Sequence, residues 1–354
     1  MILPLSFELS AVFDWLGELL ASLGLPPIWQ TIVSYVLLGA MMFGVLALLA
    51  LFLVWWERKI SAHIQQRFGP MRHGWHGWYQ TIMDAIKLLQ KEDILVVTRD
   101  RVVFFWAPLL CFVAAFLAYV AMPFGNGLIV ADLNVGILYI IAVTTFTIIS
   151  LLMAGWGSNN KYALLGGIRS AAQVVSYEVP MVASILTAVL FAGSLSMVEI
   201  IKSQEGHGIF NWLIFRPPFG MIAFVTYIIA ATAEANRTPF DIPEAEQELV
   251  AGYNVEYSGM KFAMFFLAEF VNLFTVSAIA TTLFLGGGNG PLLPSWIWFM
   301  GKTLVVIFLL MVIRWTMPRL RVDQLMEFAW KFLVPVTFAN LMIAGIFKFA
   351  GWYW

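Results

Sequence analysis

The chain has 354 residues, 61% of them hydrophobic and only 12% charged, with a mean hydropathy of +0.85. Soluble proteins average roughly 45–50% apolar residues, so this composition excludes a soluble enzyme and makes length a count of membrane spans rather than of soluble domains. The net charge is −1 and no nucleic-acid partner is expected; the single cysteine, Cys111, excludes an intrachain disulfide and a protein-held iron–sulfur cluster.

Residues 1–30 carry Phe7, Ala11, Leu16, Leu19, Leu20 and Leu23 in a pattern that predicts a short amphipathic helix on the outer membrane surface. The first basic residue is Arg58, so this segment lacks the charged start of a signal peptide. Residues 31–354 read as one transmembrane bundle domain. A bilayer core about 30 Å thick needs roughly 20 apolar residues at 1.5 Å each. Eight stretches meet or approach that length: residues 32–56, 102–122, 135–156, 171–191, 218–237, 262–285, 296–313 and 328–349. The fifth is the weakest, because its uncharged part covers only residues 217–233.

Between the first two spans, ERKISAHIQQRFGP breaks at Gly69-Pro70, where proline removes a donor and disfavours helix in the residue before it. Trp75, Trp78, Tyr79, Ile82, Ile86 and Leu89 then recur at helical spacing opposite Gln80, Asp84, Lys87 and Lys91, which predicts an amphipathic helix along the cytoplasmic headgroups. Trp55, Trp56, Trp75 and Trp78 together could frame a lateral opening for an apolar ligand with a polar head. After the third span, GWGSNNKYALLGGIRS reads as a docking or packing turn, without Walker-type or metal-ligand spacing. No histidine falls inside a span, so a haem between paired intramembrane histidines is not expected.

Of the 20 Lys and Arg residues, all but Lys202, Arg216, Lys302 and Lys348 lie at the exits of odd-numbered spans. The positive-inside rule therefore puts those exits in the cytoplasm and both termini outside. The expected fold class is an all-α integral membrane protein, an eight-span transmembrane helix bundle with a cytoplasmic interfacial amphipathic helix. The absence of an internal repeat argues against an inverted-repeat transporter.

Acids at membrane depth are the strongest chemical signal, since a charge in hydrocarbon costs about 2.5–3.5 kcal/mol on insertion scales. Glu178 and Glu269 each lie about 12 Å below the cytoplasmic end of their spans, and Glu234 closes the fifth. The loop that follows, within EANRTPFDIPEAEQE, adds Asp241, Glu244, Glu246 and Glu248, with Glu256 beyond. Each acid alone could be satisfied by a neighbour such as Arg237, Lys261 or Asn272. Together they suggest a hydrated proton or charge path. The second cluster, Glu57, Arg58, Lys59 and Arg67, is read first as a topological signal.

ERKISAHIQQRFGP, WGSNNKYALLGGIRSAAQVVSYEVP, EANRTPFDIPEAEQELVAGYNVEYSGMKF and RWTMPRLRVDQLMEFAWK together resemble the quinone-site membrane subunit of respiratory complex I, the NADH:quinone oxidoreductase. The resemblance runs over residues 33–349, with Met71 where Asn is usual. It implies a subunit that forms the quinone entry passage, joins the peripheral and membrane arms, and couples quinone reduction to proton translocation. By the same resemblance, Arg58, Arg67, Asp84, Phe266 and Arg314 fall on the quinone passage, flanked by Lys87. Glu178, Glu234, Asp241, Glu244, Glu246, Glu248, Glu256 and Glu269 fall on the proton or charge relay. Quinone would be the substrate; no cofactor or metal is expected on this chain, and flavin and iron–sulfur clusters belong to partner chains. The implied partners are peripheral quinone-site subunits, neighbouring membrane-arm subunits and the lipid of a bacterial plasma membrane. A related subunit of a membrane-bound hydrogenase would share this fold and these acids, and a self-sufficient transporter is the third reading.

Overall fold

The computed structural model describes residues 9–22, 26–206, 208–216, 218–243, 250–291 and 293–351. Every regular element among them is helical, as the apolar runs require: in lipid, only a helix satisfies its own backbone within one segment. In chain order they are α1 (Leu9–Ser22), α2 (Pro27–Ile64), α3 (Tyr79–Gln90), α4 (Arg101–Leu117), α5 (Gly136–Gly157), α6 (Lys161–Ala192), α7 (Met197–Ser203), α8 (Phe219–Glu234), α9 (Gly259–Phe284), α10 (Ser295–Thr316), α11 (Val322–Glu327) and α12 (Val334–Phe349). A π-helical turn, Phe328–Leu333, joins α11 to α12 without a break.

Seven helical segments among the described residues are long and apolar enough to cross a membrane, with α11 to α12 counted as one. The eighth candidate, α8, has only 16 residues, which is why the fifth apolar run is short. It is nonetheless buried on most sides, against α6, α9 and α12. The most enclosed span is α9, with 61% of its apolar stretch buried, whereas α2 has 17%. Thus α9 forms the axis, packed on α2, α3, α4, α6, α7, α8 and α10, while α2 lies at the edge. Hydroxyls hold this axis: Tyr119 Oη donates to Val271 O at 2.7 Å, Tyr227 Oη donates to Val276 O at 2.8 Å, and Thr275 Oγ1 donates to Tyr119 Oη at 3.0 Å. Lipid gives helices no hydrophobic drive to associate, so such bonds and close packing do the joining.

The turn after α5 comprises Ser158 to Asn160, and α6 then begins ten residues earlier than the apolar run suggests. Asn160 caps α6 by accepting from Tyr162 N at 2.9 Å. Close backbone approach explains the glycines that follow: a Cβ on Gly166 would meet Gly252 Cα at 2.8 Å and Tyr253 N at 2.9 Å. The contact is one of packing within the chain, and it falls at the start of α6 and not in the turn itself. At the other end of the chain, α1 packs on α2. Leu20 is buried and Leu19 exposed; Phe7 and Leu23 lie outside the described residues, as do the side chains of Ala11 and Leu16.

Candidate functional site

Between α2, α3 and α9 lies a cavity of about 220 Å³, closed at one side by Phe112 of α4. From α2 it takes Phe43, Ala47, Ala50, Leu51, Val54 and Arg58, spaced as one helical face; α3 adds Thr81, Asp84, Ala85, Leu88 and Leu89, and α9 adds Phe266, Leu267 and Phe270. The lining is apolar except at the α3 end. There Arg58 Nη1 donates to Asp84 Oδ2 at 2.7 Å, and Gln80 Nε2 donates to Asp84 Oδ1 at 3.4 Å. The sequence pattern places Asp84 on the solvated face of the interfacial helix. In the fold Asp84 itself turns toward Arg58 and the cavity, while Lys87 and Lys91 of the same face are exposed, as are Met83 and Ile86.

The passage residues therefore divide. Arg58, Asp84 and Phe266 share the cavity. Arg67 does not line it; its Nε donates to Gln65 Oε1 at 2.7 Å on an exposed turn. Arg314 does not line it either, and instead pairs with Glu57. Lys87 is exposed. The four tryptophans do not frame one opening, because adjacent residues on a helix point about 100° apart. Trp55 packs on Trp78 at 5.3 Å and donates from Nε1 to His76 O at 3.1 Å, stitching the segment before α3 to α2. Trp56 instead stacks on Phe308 of α10, and Trp75 is 83% exposed.

Behind the cavity lies a buried charge network. Arg237, just past α8 and only 1% exposed, donates from Nη1 to Glu57 Oε2 at 2.7 Å; its Nε is 3.0 Å from Glu269 Oε1. Glu57 also accepts from Arg314 Nη1. Two acids and two guanidinium groups thus meet in one cluster, with a third acid, Asp241, nearby. The Arg237 guanidinium sits 4.6 Å from the centre of the Phe270 ring, and that ring also lines the cavity. One aromatic side chain therefore touches both the apolar space and the charges.

A second acidic pair lies on α6 and α8. Glu178 accepts from Thr145 Oγ1 at 2.8 Å, and its charge acts on Glu234, which is buried. Glu234 Oε2 has no hydrogen-bond partner among the described residues. Gln173 ties α6 to the end of α8 and the segment after it, its Nε2 donating to Ala233 O at 2.8 Å and Phe240 O at 2.6 Å. Glu256 belongs to neither group: it accepts from Asn160 Nδ2 at 2.7 Å and pins the α6 cap to the loop before α9. Beside it, burial pushes the Tyr257 phenol well above its usual range, leaving a neutral donor that reaches Phe104 O at 3.3 Å. Glu244, Glu246 and Glu248 lie outside the described residues.

A family model described as NADH dehydrogenase matches residues 37–345. The chain belongs to the NADH dehydrogenase family. A relative from Dehalococcoides mccartyi (strain CBDB1), named as the NADH-quinone oxidoreductase subunit designated H, is 49% identical over 317 residues, covering 90% of this chain and 87% of its own. Proteins of the same name are similar at 42% identity in Bacteroides fragilis (strain YCH46), over 95% of this chain and 97% of theirs, and at 48% in Chlorobaculum tepidum, over 83% and 86%. What the fold adds for this NADH dehydrogenase family member is the pairing of Glu57 with Arg237. The sequence places Glu57 in a topological cluster and Arg237 as a local counter-charge. The only sequence signal for Glu57 is an acid in an otherwise basic span end, ERK, which a topological cluster does not require.

No group of three or more His, Cys, Asp or Glu side chains among the described residues is arranged to hold a metal ion. Cys111 is buried in α4.

Proposed function

We propose that this chain is the quinone-site membrane subunit of a proton-pumping NADH:quinone oxidoreductase, or complex I, in a bacterial plasma membrane. It works as a cofactor-free subunit: NADH oxidation, flavin and iron–sulfur clusters belong to partner chains of the peripheral arm, and other membrane-arm subunits flank it. Eight spans, with α8 as the short fifth, leave both termini outside and α3 on the cytoplasmic side. The reading is supported by the names of the relatives and by one arrangement above all, an apolar cavity whose wall residue Phe270 also stacks on Arg237, the centre of a largely buried charge network.

Chemically, the cavity takes the apolar body of a quinone, with Arg58 and Asp84 as its polar end. Arg67 and Arg314 serve the same passage from outside the cavity, Arg67 on the exposed turn after α2 and Arg314 by fixing Glu57. A change of charge on the quinone acts through the Phe270 wall on the Glu57–Arg237–Glu269 network and Asp241. Glu178 and Glu234, with the loop acids Glu244, Glu246, Glu248 and Glu256, carry protons or field onward. Linked acids titrate as one system, and coupling between quinone charge and their protonation is reciprocal.

The deciding experiment replaces Glu269 or Glu178 by Gln, which keeps shape and most hydrogen-bonding capacity but fixes the group as neutral. The reconstituted complex should assemble, keep artificial-acceptor reduction by the partner chains, and lose pumping per electron delivered to quinone. Full pumping with normal quinone turnover in both variants would end the relay. Membrane orientation is tested separately in a Cys111→Ala background, where a cysteine at residue 246 should resist an impermeant thiol reagent in intact cells.

A further inference from the structure

The inner cavity is small for its task. Ligand pockets usually enclose roughly 300–1,000 Å³, whereas this one holds about 220 Å³. A ligand with a long apolar tail must therefore continue beyond it. Phe43 and Phe112, which close the cavity, also line a second apolar groove of about 600 Å³ that follows α2 and α4 toward the N-terminal end of α2. Phe43, Phe112 and Phe116 form the boundary between the two spaces, with ring centres 4.6–5.7 Å apart. The groove reaches Tyr35 on α2 and Val130 in the loop after α4. From Arg58 to Tyr35 along α2 is about 35 Å at 1.5 Å per residue, close to the full hydrocarbon thickness.

We infer that this α2–α4 groove is the seat of the distal isoprenoid tail of a long-chain quinone, with the Phe43–Phe112–Phe116 cluster as the threshold between tail seat and inner cavity. The inference rests on the quinone reading of the inner cavity. It commits to the quinone's own tail, and not to a bilayer acyl chain, because the groove shares two wall residues with the cavity that holds the head end. Gly39 forms part of its floor, and a Cβ there would meet nothing within 4 Å. Occupation should be modest in energy, since a tail leaving lipid for an equally apolar groove gains packing but no hydrophobic transfer. Selectivity between quinones of different tail length is the expected consequence.

Gly39→Phe fills the groove without crowding the packed core, and tests the proposal in the assembled, reconstituted complex. The apparent KM for a quinone with about eight to ten isoprene units should rise about three- to tenfold at unchanged kcat, the pattern of lost uniform binding. The KM for a quinone with one or two units should not move. A long-tailed quinone with a photoreactive group at its tail end should also label the α2 or α4 segments that border the groove in wild-type complex, and not in Gly39→Phe. An unchanged long-tail KM, or photolabel confined to partner chains and lipid, would make the groove a lipid-only seat and overturn the inference. Should Gly39→Phe fail to assemble, the wild-type photolabel decides alone. Failure of the inner-cavity reading shows differently: Phe266→Trp, which intrudes on the cavity itself, would then leave reduction of short- and long-tailed quinones alike intact.

Discussion

Two ion pairs in this protein have the same 2.7 Å separation and should respond oppositely to removal. Arg237–Glu57 has side chains 1% and 7% exposed, whereas Arg58–Asp84 has 40% and 37%. Breaking a buried pair leaves an uncompensated charge and typically costs about 3–5 kcal/mol; an exposed pair contributes about 0–1 kcal/mol. Arg237→Met leaves Glu57 and Glu269, with Asp241 nearby, facing Arg314 alone, one positive charge fewer than in the native cluster. Because Arg314 still holds Glu57, the lower end of the buried range applies, about 3 kcal/mol or somewhat over a hundredfold in a population ratio. Assembled complex on native gels should fall sharply, and the temperature of half-inactivation should drop in whatever is recovered. Arg58→Met should leave both nearly unchanged. Adding Glu269→Gln to Arg237→Met restores the native net charge of the cluster while keeping the Arg314–Glu57 contact, so assembly should recover in large part. Normal assembly of the single variant, or a double variant no better than it, would refute the balanced-charge argument.

Gly166→Ala presses a methyl group into the Gly252–Tyr253 backbone and should cost about 1–3 kcal/mol by overpacking; Gly39→Ala, with open space around it, should be silent in the same thermal assay. Lys302 donates to Leu285 O at 2.7 Å, Gly287 O at 2.9 Å and Asn289 O at 2.6 Å beyond the C-terminus of α9, so Lys302→Met should lower thermal stability by several degrees in detergent without altering quinone KM. Glu234→Gln combined with Glu178→Gln should reduce pumping less than the sum of the single losses, because the two acids act on one another.

Much of the architecture is legible in the sequence because lipid leaves the chain few choices. The long apolar runs are helices, and of the acids at depth Glu234, which ends α8, is buried, whereas Glu178 and Glu269 are half-buried. The break that the sequence puts at Gly69-Pro70 comes earlier, with α2 ending at Ile64 and Gln66 at φ 55°; Gly69-Pro70 then turns back on that helix, where Lys59 Nζ donates to Pro70 O at 2.7 Å. What sequence cannot supply is facing and long-range pairing. A periodicity of 3.6 separates two faces of α3 without saying which of them meets α2, so Asp84 reads as a solvent-facing residue. Glu57 and Arg237 meet across 180 positions, and neither residue's neighbours reveal the other. Nor does a span length of roughly 20 residues anticipate α8, whose 16 residues are sheltered by protein on most sides.

A wall one ring thick separates the cavity from the Arg237 cluster, and this thinness bears on how fast and by what means the two can communicate. A unit charge about 10 Å away across an effective dielectric of about 20 contributes roughly 1.7 kcal/mol, a bias of somewhat more than tenfold in any equilibrium that moves charge behind the wall. Nothing has to cross Phe270 for that bias to be felt, neither a water, a proton nor a helix. Signalling of this kind is instantaneous on the scale of side-chain motion. It would persist in a protein frozen against large movement, and it would fade if Phe270 were cut back enough to let solvent into the gap.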